Sequence, residues 1–208
     1  MSKLYQGMSQ EEFDGGYFYA TELKAFAKTL GITVGNLKKN ELELHIKAHL
    51  FGYSGELPVA VPNRKNSAAR DLLTLDTPVV NYVSDKKTKS FLLAAVKQQF
   101  GALADKSGQW YWLNSWRKQC IIDGKTINYG DLVVYLANLK KTQGRLPQIP
   151  SARMNNFISD YISDSENQGS GKNEALKAWF ELKASSLPKT YQAYKNAKAL
   201  LAKYKGSC

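Results

Sequence analysis

The chain has 208 residues, 43% of them hydrophobic and 12% aromatic, and 29 Lys and Arg against 18 Asp and Glu give it a net charge of +11. This is enough apolar material for one or two packed domains and too much for a wholly disordered chain. Two Cys, Cys120 and Cys208, and two His at unsuitable spacings exclude a disulfide framework and a zinc finger, and no apolar run approaches the roughly 20 residues that cross a bilayer.

The first residues lack an apolar core of the signal-peptide kind, so the expectation is a cytoplasmic protein with reduced thiols and no membrane partner. The charge is unevenly spread. Residues 1–52 carry six basic and six acidic side chains, residues 53–145 carry 14 and 7, and residues 146–208 carry 9 and 5. A positive surface attracts polyanions through counterion release and long-range steering, which makes nucleic acid the first partner class to weigh.

In chain order, Ser9-Gln10-Glu11-Glu12 has the form of a capping box ahead of Phe13 and predicts a short helix ended by Gly15-Gly16. Residues 21–30 place Leu23, Phe26, Ala27 and Leu30 on one face of an amphipathic helix that stops at Gly31. Residues 32–37 read as a short extended loop. A second helix follows over 38–50, with Asn40 as a capping candidate, a stripe of Leu42, Ile46 and Leu50, and Gly52 as its stop.

The string from Tyr17 to Leu50, with Leu23-Lys24-x-Phe26 on the first helix, then Leu30-Gly31-Ile32, a turn, Lys39-x-Glu41-Leu42 and a final apolar helix, resembles the SAP domain over residues 17–51. That resemblance implies a helix, extended loop, helix module associated chiefly with DNA. The wider arrangement, Ser9 to Phe13 ahead of Tyr17-Phe18-Tyr19 and then Leu73-Thr74-Leu75-Asp76-Thr77 leading to a Lys-rich segment and Phe91, is similar to small bacterial proteins that join a SAP module to a second domain of uncharacterised function. It implies a bacterial or phage source and a nucleoid location if DNA is bound.

Residues 53–71, with Pro58, Pro62 and Asn63-Arg64-Lys65-Asn66-Ser67, read as a linker whose Arg64, Lys65 and Arg70 can reach a phosphate backbone. Beyond it, Ser84 is the candidate cap of a helix bearing Phe91, Leu92, Ala95, Val96 and Phe100 and ending at Gly101. Residues 109–120 form another helix with Trp112, Trp116 and Cys120 at its core-facing spacing. Asp123-Gly124 makes a turn that either closes a hairpin between Ile121-Ile122 and Thr126-Ile127 or connects to a helix over 129–141. After Pro147 and Pro150 the chain continues over 151–162 into a polar segment over 163–171 expected to be disordered, a helix over 173–184 with Leu176, Trp179, Phe180 and Lys183 on one face, and a last helix over 189–205.

Enzyme signatures fail. Gly169-Ser170-Gly171-Lys172-Asn173 lacks the first phosphate-loop glycine, Glu166 standing there, and Asn173 replaces Ser or Thr. His45 and His49 have no third ligand, and Cys120 has no activating His. Glu22-x-Lys24 and Glu181-x-Lys183 lie on helices without the Asp a metal-dependent nuclease needs. Trp110 and Tyr111, beside Arg117 and Lys118, are the candidate exposed platform for stacking bases, with Trp112 and Trp116 read as core. No catalytic residue, metal or cofactor is expected.

The sequence thus reads as a mainly α protein: a SAP-like module over 1–52, a linker over 53–71, a basic, mainly helical domain over 72–145, and C-terminal helices over 146–208 that pack on or extend that domain. The functional expectation is a non-enzymatic protein holding the phosphate backbone of duplex DNA with low sequence specificity, since backbone contacts position without reading bases. Its contacts are Asn36, Lys38, Lys39 and Asn40 at the start of the second helix, where free amides and the helix dipole favour phosphate, then Lys24 and Lys28, Arg64 and Lys65, and Arg117 and Lys118. The alternative is a protein-interaction adaptor whose basic domain binds RNA or an acidic partner. The oligomeric state stays open.

Overall fold

The structure is a computed structural model that describes residues 3–52, 55–61 and 69–205. Among the described residues the chain forms nine α-helices and one 3-10 turn, with an isolated antiparallel bridge between Pro78 and Asn128. The chain is mainly helical, as its periodicity predicts. It divides into two units: a composite one made of Met1–Pro58 with Ile149–Cys208, and a central one, Val59–Gln148.

The composite unit opens with α1 (Gln10–Gly15), α2 (Ala20–Thr29) and α3 (Lys39–Phe51). Ser9 caps α1 by accepting from the Glu12 N–H at 3.1 Å, while Glu12 Oε2 accepts from the Ser9 N–H at 2.7 Å, the reciprocal bonds of a capping box. Leu23 and Ala27 of α2 and Leu42 and Ile46 of α3 are fully buried where the two helices pack, along with Phe13, Phe18 and Leu37. The cap of α3 is Lys38, and not Asn40 as expected. Glu41 stands at the third helical position and its carboxylate accepts from the Lys38 N–H at 2.6 Å, which draws the helix start two residues upstream.

The C-terminal part adds α7 (Arg153–Ser163), a 3-10 turn (Ser165–Asn167), α8 (Lys172–Ala184) and α9 (Tyr191–Lys205). Phe157, Tyr161, Ala175, Ala178, Trp179 and Leu182 form its core, and Tyr17 of the N-terminal segment packs edge-on against Trp179 with ring centroids 5.4 Å apart. Lys189 donates to the Gly15 carbonyl, Arg153 pairs with Glu43 at 2.5 Å, and Lys183 donates to the Tyr19 hydroxyl at 3.0 Å. Residues 149–208 therefore complete the N-terminal module, whereas the sequence pattern attached them to the basic domain. The amphipathic faces are visible in the sequence; which core they join depends on aromatic partners more than a hundred residues away.

The central unit holds α4 (Lys86–Phe100), α5 (Gln109–Ile122) and α6 (Tyr129–Lys141), with α4 and α5 both packed on α6. Leu92, Val96, Leu113, Tyr129, Leu132, Val133 and Leu136 make its core. Residues 71–80 run along the entry to α6: Val79 donates to the Ile127 carbonyl at 2.8 Å, Tyr129 to that of Thr77 at 3.1 Å and Gly130 to that of Leu75 at 2.8 Å. Asp71 fixes this segment by accepting from the Val80 and Asn81 N–H groups and from the Tyr129 hydroxyl. The last residues assigned to the linker, Arg70 and Asp71, are thus parts of the central unit.

Four further expectations change. Asp85, one residue beyond Ser84, caps α4 by accepting from the Thr88 N–H at 2.9 Å. Ile121 and Ile122 stay in α5, so no hairpin forms, and residues 127–130 pair instead with 75–79. In α8 the buried face is Ala175, Ala178, Trp179 and Leu182, which leaves Phe180 58% exposed. The polar segment expected to be disordered is ordered by the 3-10 turn: Asn167 donates to the Tyr161 carbonyl and the Tyr191 hydroxyl, and Lys195 pairs with Asp164 and Glu166.

Candidate nucleic-acid interface

The residues taken from the SAP resemblance are placed in two ways. Lys24 and Lys28 are exposed on α2. Those at the start of α3 are drawn into the fold. Lys38 is half-buried with its ammonium 3.9 Å from Glu41, and burial lowers its pKa against the opposing field of Glu41. The Lys39 ammonium sits 3.9 Å from the centre of the Tyr17 ring, which has Lys183 at 5.1 Å as a second cation. Burial lowers the Lys39 pKa as well, with Glu43 opposing. Asn36 is half-buried in the turn after Gly35, and Asn40 buries its Oδ1 without a hydrogen-bond partner. Arg64 and Lys65 lie outside the described residues.

The central unit carries the charge, with fourteen basic and six acidic side chains and a net charge of +8. Several of these cations gather at the start of α4. Arg70 donates to Asp85 at 2.7 Å and to the Thr88 hydroxyl at 3.2 Å, so the capping carboxylate and the helix start are held together. Lys86 and Lys87 follow directly and are exposed, and Lys89 lies over the Trp110 ring at 5.4 Å. Tyr82, three residues before the cap, carries the guanidinium of Arg117 over its ring at 4.6 Å. Arg117 Nε is buried without a hydrogen-bond partner. Burial lowers the Arg117 pKa, opposed by Tyr82, Tyr129 and Asp71, and no carboxylate stands at ion-pair distance from it among the described residues. Lys118 is half-buried beside it.

The basic character of the sequence points to Arg117 and, in the linker, to Arg70, but not to Tyr82, Lys86 and Lys87. The signal that was present is Asp85-Lys86-Lys87: a capping acid followed at once by exposed lysines, where the helix dipole adds to their charge. The aromatic platform is also rearranged. Trp110 packs against the central core and Trp116 stacks on Tyr135 at 4.4 Å, whereas Trp112, expected in the core, donates its indole N–H to the Pro147 carbonyl at 3.0 Å. Leu113 takes the core position because the α5 stripe runs through Gln109, Leu113 and Cys120.

The Thr88 N–H bond, helped by Arg70, holds the Asp85 carboxyl down at about 2, below its ordinary 3.8. A carboxyl with a depressed folded-state pKa contributes stability that is complete above its unfolded value and is lost as pH falls through the folded one. A carboxyl titration followed by NMR should therefore place Asp85 near 2, and the pairing with Arg70 should weaken as pH falls from 3.8 toward that midpoint. A midpoint at the ordinary value would mean that the Arg70–Asp85–Thr88 set does not form.

Among the described residues no three His, Cys, Asp or Glu side chains gather as metal ligands, and no helix is long and apolar enough to cross a membrane. His45 bonds the Pro58 carbonyl at 2.6 Å, and burial pushes the Cys120 thiol up. The Gly171 N–H is taken by Glu174 at 3.0 Å, which occupies the amide that a phosphate loop would offer. No family model, curated protein or solved structure matches the chain.

Proposed function

We propose that this is a non-enzymatic DNA-binding protein that holds the phosphate backbone of duplex DNA, with low sequence specificity, through the start of α4 in the central unit. The observation that carries the reading is Arg117: a half-buried guanidinium held 4.6 Å over the Tyr82 ring, with its Nε lacking an acceptor, in a unit of net charge +8. A half-buried cation without a counter-charge and a buried N–H without an acceptor are costly, and a phosphate on the guanidinium supplies negative charge and lone pairs together. Lys86 and Lys87 add exposed charge at the start of α4. The helix, loop, helix order of α2 and α3 supports the SAP-like reading in the composite unit, where Lys24 and Lys28 are the exposed contacts.

A second reading, an adaptor whose basic unit binds RNA or an acidic partner, draws on the internal engagement of Lys38 and Lys39. Charge reversal separates the alternatives. With Lys86→Glu and Lys87→Glu in the full chain, duplex affinity should fall by about two orders of magnitude, since two attractions become repulsions near the helix start. Unchanged duplex binding would remove α4 from the interface, and preference for single-stranded RNA over duplex would favour the adaptor.

A further inference from the structure

Within the composite unit, the entry to α2, the start of α3 and the end of α8 bring aromatic rings and lysines to one place. Tyr5, Tyr19 and Phe180 are the exposed aromatic rings among the described residues, and two of them border Lys183. Phe180, 58% exposed, stands three residues before Lys183 and so beside it on α8. Tyr19, 46% exposed, accepts at its hydroxyl from the Lys183 ammonium, which lies 5.0 Å from the centre of its ring. Tyr17 meets Tyr19 edge-on at 5.7 Å and is itself edge-on against the buried Trp179, so the outer ring has a fixed support. Lys39 shares the Tyr17 ring with Lys183, at 3.9 and 5.1 Å. Neither lysine has a carboxylate at ion-pair distance among the described residues, because the nearby acids are engaged elsewhere: Glu22 accepts from the Tyr19 N–H at 2.6 Å and Glu43 pairs with Arg153. Glu181 lies on another face of α8, where it reaches the Tyr194 hydroxyl.

We propose that this surface binds a single strand of DNA: unpaired bases stack on Phe180 and Tyr19, and the phosphates that join them sit against Lys183 and Lys39. Exposed rings interleaved with lysines suit a single strand and not a duplex, since a base offers its face to a side chain only when it leaves the stack. Every base has such a face, so sequence preference is weak. Burial lowers the Lys39 pKa, and the charges of Arg153 and Lys183 add to this against Glu43 and Glu22, so a phosphate brought to the two lysines relieves like-charge repulsion as well as forming charge-assisted bonds. The site lies wholly in the composite unit and stands whether or not α4 holds duplex.

The test is fluorescence anisotropy of a labelled oligodeoxythymidine of about twelve nucleotides, which cannot pair with itself, and of a labelled hairpin duplex, each titrated with the full chain. Phe180→Ala, an exposed substitution that spares the fold, should weaken binding of the oligodeoxythymidine by about tenfold or more and leave duplex affinity within about twofold. Tyr19→Ala should cost a similar factor, and Tyr19→Phe, which keeps the ring, much less. Lys183→Gln should make the slope of log affinity against log salt concentration shallower by about 0.7, the share of one single-strand phosphate. In the Lys86→Glu, Lys87→Glu background Phe180→Ala should weaken strand binding by the same factor, so this surface and the one at α4 can fail separately. No binding of oligodeoxythymidine to the native chain at low salt, or binding indifferent to Phe180 and Tyr19, would overturn the proposal, as would an equal loss of duplex affinity in Phe180→Ala.

Discussion

Lys189→Met should destabilise the composite unit by about 3 kcal/mol or more, measured by chemical denaturation of the full chain. The side chain is only 3% exposed, and its ammonium donates to the carbonyls of Gly15 at 2.5 Å, Ser185 at 2.8 Å and Leu187 at 2.7 Å. Those are its three donors, each with one acceptor. Met keeps the apolar stem and removes the charge, leaving three carbonyls short of a donor at about 1–3 kcal/mol for each that water cannot reach. Relief of burying an ammonium offsets part of this, since burial lowers the Lys189 pKa with help from Arg153. The lysine ties the end of α1 to the turn after α8, and the backbones approach closely there: a Cβ on Gly15 would lie 2.4 Å from the Ser186 carbonyl oxygen. A destabilisation of less than about 1 kcal/mol would show that the three bonds are not a structural tie.

Arg117→Leu should act in the opposite sense on stability and strongly on binding. The guanidinium is desolvated with its Nε unpaired and no ion-pair partner among the described residues, so a leucine on the Tyr82 ring should leave the central unit as stable as before or more stable. Duplex affinity should fall by roughly tenfold to a hundredfold, as expected when a charge-assisted hydrogen bond in a partly buried place is removed. Arg117→Lys should recover part of the charge and little of the affinity, because an ammonium neither stacks on Tyr82 nor offers a planar fork. A structural role alone would give the reverse pattern: lower stability, with DNA binding unchanged once the protein is folded.

The difference between what was legible and what was not follows from range. Local signals held: the Ser9 box, the glycine stops at Gly31, Gly52 and Gly101, and the stripe of Leu132, Val133 and Leu136 all act within one or two helical turns. Caps shifted by one or two residues: Glu41 accepts from the Lys38 N–H, which starts α3 ahead of Asn40, and Asp85 accepts from the Thr88 N–H, which starts α4 one residue beyond the position a Ser84 cap sets. The grouping of residues 149–208 with 1–58 was hidden, since the Tyr17–Trp179 packing spans most of the chain and no periodicity announces it. The candidate site was half visible. Arg117 stands out by its basic neighbourhood, but its aromatic seat on Tyr82 is a tertiary contact, and Lys38 and Lys39 look like surface charge until α8 brings Lys183 to the same ring as Lys39.

The salt dependence of duplex affinity for the full chain tests backbone binding most directly. Each phosphate neutralised by Lys86, Lys87, Arg117 and their neighbours should add about −0.9 to the slope of log affinity against log salt concentration, and Arg117→Leu should make that slope shallower by about one phosphate's worth. A steep slope that flattens in this way is the expected result. A slope near zero, or a steep one indifferent to Arg117 and to the α4 lysines, would contradict a phosphate-binding surface at the start of α4.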